Sequence, residues 1–131
     1  MVGQWQQHNI EPRIIQILQE VQDCGHHFGR PYLTAYQLAI EFQQRHPDIS
    51  IALDREIGGA GTGKYVSLAQ YLARQLSASI LNDPHYPIEG AFISNQNVKE
   101  LSYNAEDKII TSSLTVSSYG LSMFRLRYKK I

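Results

Sequence analysis

The chain has 131 residues, 43% of them apolar and 18% charged, which supplies one buried core and argues against disorder or a multidomain enzyme. Twelve Lys and Arg balance twelve Asp and Glu, so no global charge pulls it onto nucleic acid or an anionic membrane. The single Cys, Cys24, excludes an intrachain disulfide or a cysteine-rich zinc site, and no apolar run reaches membrane-spanning length.

These features predict one soluble domain over residues 1–131, with no membrane association. The opening MVGQWQQHNIEPR has Gln and His where a secretory signal needs an apolar stretch, so the expected compartment is cytoplasmic.

In chain order, the apolar spacing of Ile14, Ile15, Ile17, Leu18 and Val21 predicts a first helix over residues 10–24, with Asn9 as cap, Pro12 in the first turn and Gly25 as stop. Thr34 and Gln37 have capping-box spacing and open a second helix over residues 34–46, with Ala35, Leu38, Ala39 and Phe42 on one face and Pro47 ending it. The run ISIAL reads as a strand in isolation. With Asp48 as cap and Gly58 as terminator it reads as a short helix over residues 48–57.

The glycine-dense GGAGTG, residues 58–63, is a loop. Ser67 and Gln70 repeat the capping-box spacing and open a helix over residues 67–80 with Leu68, Ala69, Leu72, Leu76 and Ile80 inward. NDPHYP marks a bend, GAFIS begins the strands, and NVKELSY is ambiguous between helix and strand. KIITSSLTVSS and LSMFRLRYKK alternate and meet around Tyr119 and Gly120, which predicts a β-hairpin with Phe124, Leu126 and Tyr128 on one face and Arg125, Arg127 and Lys129 on the other. The expected fold class is α+β: four helices followed by a C-terminal antiparallel β-hairpin or small sheet.

GGAGTGKY has the spacing of a phosphate-binding loop, in which helix-start N–H groups and a Lys hold an anion. Tyr65 stands where Ser or Thr would reach magnesium, and Asp54, Arg55 and Glu56 do not suit the buried strand that feeds such a loop. The expectation is a bare anion site at Gly61, Gly63 and Lys64, without nucleotide hydrolysis. Cys24, His26 and His27 lack the spacing of a structural zinc site, and no carboxylate pair or activated thiol stands out. No metal, cofactor or catalytic residue is predicted, and the chain reads as a binding module, more readily than as an enzyme.

Charge is distributed unevenly. Residues 1–107 hold seven basic and all twelve acidic side chains, a formal −5; residues 108–131 hold five basic and no acidic ones, a formal +5. On the 67–80 helix the outer face presents Ser67, Gln70, Arg74 and Ser77, side chains able to read base edges. Arg125, Arg127, Lys129 and Lys130, with Lys64 near the helix start, are placed to meet phosphate. In this order of helices followed by a basic hairpin the chain resembles the winged helix-turn-helix family of DNA-binding domains, over residues 10–80 and 108–131. The resemblance implies a recognition helix in the major groove and a hairpin on the backbone or minor groove, hence DNA as partner and a role in transcription regulation. It departs from the family in the long segments 47–66 and 81–107. The alternative is a protein-interaction or self-assembling subunit, a homodimer in which the last strand pairs edge to edge and lies against the partner's acidic helical part.

Overall fold

A computed structural model describes residues 3–58, 67–113 and 121–127 of the chain. The helical part begins with a single turn, α1 (Gln4–Gln7), and continues into α2 (Ile10–Gln19), whose Ile10, Ile14, Ile17 and Leu18 are buried at helical spacing. Asn9 stands at the N-cap in the left-handed region without a side-chain capping bond. The helix stops at Gln19, short of the expected residue 24. Arg30 explains the early stop: its Nη1 donates to the carbonyls of Leu18, Gln19 and Val21, which occupies acceptors that a longer helix would have used.

After β1 (Leu33–Thr34), α3 (Ala35–Arg45) starts at the expected capping box, with Gln37 N donating to Thr34 Oγ1 at 3.2 Å and Thr34 N to Gln37 Oε1 at 2.7 Å. The next helix, α4 (Pro47–Leu53), begins at Pro47 and ends at Asp54 in the left-handed region, not at Gly58. Residues 54–58 instead run irregularly back to the start of α5 (Leu68–Asn82), with Ile57 buried on the way. α5 runs two residues past its expected end. Asp83, extended and followed by Pro84, closes it.

The strands overturn the expected C-terminal hairpin. β4 (Lys108–Ser113) pairs backwards with β3 (Glu100–Ala105), Ala105 opposite Lys108, so NVKELSY supplies a strand. β5 (Leu121–Leu126) belongs to another antiparallel sheet of order β1-β5-β2, in which β2 (Ile88–Ile93) matches it along its whole length and β1 pairs Leu33 with Phe124. Alternation identified these runs as strands, but alternation alone does not select a pairing partner. β5 is therefore an inner strand, which corrects the expectation that it offers an edge to a second copy. The strands are interspersed among the helices in chain order, and the Tyr119–Gly120 turn and Tyr128 lie outside the described residues.

The core lies between sheet and helices: Ile14 and Leu18 of α2, Leu38 and Phe42 of α3, and Leu72 and Leu76 of α5 meet Ile88 and Phe124. The β3–β4 pair joins it through Ala105 and Ile110 and through Tyr103, whose ring stacks on Tyr36 at 5.3 Å. Among the described residues no helix is long and apolar enough to cross a membrane.

Candidate functional site

The outer face of α5 is set by its inner one. Because Leu68, Leu72 and Leu76 are buried, Gln70, Arg74 and Ser77 stand on the solvent side, joined towards the C-terminus by Ala78 and Leu81. Arg74 makes no hydrogen bond or ion pair among the described residues, so its guanidinium is available to a ligand. Beside this face the Arg55 guanidinium lies 4.7 Å above the Tyr71 ring, and burial pushes the Tyr71 hydroxyl pKa up.

Ser67 is separate from that face. It is buried, its Oγ accepts Gln70 N at 3.1 Å, and its own N donates to Gln70 Oε1 at 3.2 Å. The preceding chain takes the next donors: Leu68 N bonds Glu56 O at 2.6 Å and Ala69 N bonds Ile57 O at 3.0 Å. The backbone N–H groups that a helix start would aim at an anion are thus already paired. Gly61, Gly63 and Lys64, the expected anion-site residues, lie outside the described residues. Gly58, at φ +135°, closes against Ser67 and Tyr36, where an added Cβ would sit 3.1 Å from Ser67 Oγ.

The basic strand is engaged within the fold. Phe124 and Leu126 face the core, so Arg125 and Arg127 project from the other face of the sheet. Arg125 Nε donates to Glu89 Oε1 at 2.6 Å and its Nη1 donates to Phe28 O at 2.6 Å and Arg30 O at 3.0 Å, while the guanidinium lies 4.4 Å over the Tyr32 ring. Arg127 Nε donates to Tyr86 O at 2.7 Å, and its Nη1 stands 3.9 Å from Glu89 Oε2. The fold brings Gln70, Arg74 and Ser77 together on one helix face and gathers Arg125 and Arg127 around Glu89 elsewhere. Lys129 and Lys130 lie outside the described residues.

Sequence reasoning missed Glu89 and Tyr86. Glu89 faces Arg125 across the β2–β5 register, and an acid interrupting an apolar strand was its only trace. The buried Tyr86 donates from its hydroxyl to Glu11 Oε2 at 2.6 Å, and burial followed by that bond pushes its pKa up. Across the 23–29 loop, His26 Nδ1 accepts Phe28 N at 3.0 Å and the His26 and His27 rings stack at 4.3 Å. Cys24 is exposed there. Among the described residues no group of three His, Cys, Asp or Glu is placed to hold a metal.

The chain matches no protein-family model, no curated protein and no solved structure.

Proposed function

We propose that the chain is a DNA-binding domain of winged-helix type in which α5 is the reading helix and Gln70, Arg74 and Ser77 face the base edges. The observation that carries this reading is the sheet order β1-β5-β2, in which the strand before α3 pairs with the last strand and that strand with β2. Helices α2, α3 and α5 pack against its strands, and on this reading the wing belongs to the chain between β2 and β5. The long segment 81–107 is accounted for by β2 and the first strand of an inserted hairpin, while α4 and residues 54–67 lengthen the usual helix-turn-helix connection. Phosphate contact falls to Lys64, Lys129 and Lys130; Arg125 and Arg127 hold the sheet. The test is fluorescence anisotropy of a labelled random-sequence duplex pool at low salt. Binding that weakens as salt rises is expected, and absence of binding at low salt ends the reading.

A second reading, attachment to a protein partner, is favoured by Phe28. Its ring is 74% exposed at the tip of a loop whose backbone Arg125 fixes, the arrangement of a preorganised aromatic anchor.

A further inference from the structure

The Gln70 side chain cannot offer both ends of its amide to a ligand. Its Oε1 accepts the Ser67 N–H at 3.2 Å as one half of the capping box, which holds the oxygen against the helix start. Because the partner is a backbone N–H, the atom that accepts it must be the oxygen. What remains is Nε2, a donor, which makes no hydrogen bond among the described residues. One turn on, at i+4, Arg74 carries a guanidinium that can only donate and that is likewise unengaged among the described residues. Both residues are exposed, and α5 contains no Asp or Glu that would add an acceptor or repel a phosphodiester chain. Ser77 both donates and accepts, so it does not discriminate between bases.

We infer that this face selects duplex sites with guanines on neighbouring base pairs; the inference rests on α5 being the reading helix and extends that reading to base preference. In the major groove guanine alone shows two acceptors, N7 and O6, and no donor. Adenine sets its N6 amino group beside N7, cytosine shows an amino group, and thymine has one acceptor beside a methyl group. The amide pairing to adenine uses oxygen and nitrogen together, and Gln70 has committed its oxygen to its own backbone. Arg74 brings a fork of N–H groups that matches N7 and O6. Gln70 lies in the first turn of α5, the part of a reading helix that meets base edges. Four helical residues rise by about 6 Å and one base step by about 3.4 Å, so the two donors meet base pairs no more than about two steps apart.

The experiment displaces a labelled random-sequence duplex from the full chain at low salt with unlabelled competitors of equal length. One carries guanines on adjacent and next-adjacent steps, one has A·T pairs only, and the third is the first rebuilt with 7-deazaguanine, which has C–H in place of the N7 acceptor. The guanine duplex should compete about tenfold better than the A·T duplex, and 7-deazaguanine should remove most of that advantage. Gln70→Glu keeps an oxygen for Ser67 N and turns the outward atom into an acceptor. Its charge weakens binding to every duplex, so the quantity read is the ratio of the two competitors, which should fall by roughly threefold or more. Arg74→Ala, at an exposed position, should lower the same ratio. Binding with equal competition by the guanine and A·T duplexes, a preference for A·T, undiminished competition by the 7-deazaguanine duplex, or an unchanged ratio in Gln70→Glu overturns the inference and leaves the DNA reading standing; binding to no duplex ends both.

Discussion

Arg125 and Glu89 face each other across β5 and β2, joined by a 2.6 Å charge-assisted hydrogen bond with both side chains more than two-thirds buried. The same guanidinium holds two carbonyls of the 28–30 loop, so one side chain ties the central strand to its neighbour and to the loop over the sheet. Part of the positive charge concentrated near the C-terminus is thus compensated inside the fold.

Replacing Arg125 with Met removes the ion pair and both carbonyl bonds and leaves the largely buried Glu89 with only the longer 3.9 Å contact to Arg127. We expect a loss of about 2–3 kcal/mol in urea unfolding. Glu89→Gln should cost less, and the double variant should cost less than the sum of the two. Strict additivity would show that the contact carries no energy.

The two capping boxes are separable. Ser67→Ala and Thr34→Ala should each destabilise the chain by about 1 kcal/mol, because each removes the acceptor for an otherwise orphaned N–H, of Gln70 and of Gln37. Equilibrium unfolding of the two variants checks this, and a change within error for both would contradict the capping assignment.

His46, at the corner between α3 and α4, titrates below the ordinary histidine range because it is partly buried and because Arg13 and Arg45 repel its charged form, with Asp48 opposing them. Folding therefore disfavours its protonation. The resulting stability is present above the ordinary value of about 6.5 and is lost as pH falls through the lower folded value. The urea midpoint of the wild type should drop on acidification below neutral pH, and His46→Gln should drop less; parallel curves would refute the assignment.

Deleting residues 122–131 removes most of the inner strand of the three-stranded sheet and with it Phe124. The truncated chain should lose its cooperative thermal transition in circular dichroism. A cooperative folded monomer would contradict the place given to β5.

The helices were legible because their signals are local. Thr34–Gln37 and Ser67–Gln70 are three residues apart, and the apolar spacing of Leu68, Leu72 and Leu76 identifies the buried face without knowledge of what covers it. The pairing of β4 with β3 and the insertion of β5 between β1 and β2 depend on contacts between distant segments, on which an alternating pattern is silent. The end of α2 is set by Arg30, eleven residues beyond Gln19, where no helix-stop residue marks it. Of the candidate site, Arg74 and Gln70 were legible as an outer helix face. The roles of Arg125 and Arg127 were not, since alternation separates them from the core but cannot reveal a Glu89 waiting on the adjacent strand.

The most direct test of the whole account compares salt dependence of duplex binding for the wild type, Arg74→Ala and Arg125→Met, each first shown to be folded. Each phosphate contact contributes about 0.9 to the slope of log affinity against log salt. The account predicts that Arg74→Ala weakens binding and that Arg125→Met leaves the slope unchanged, because its guanidinium is held by Glu89 and two carbonyls. A slope lowered by Arg125→Met, with Arg74→Ala indistinguishable from the wild type, would contradict it.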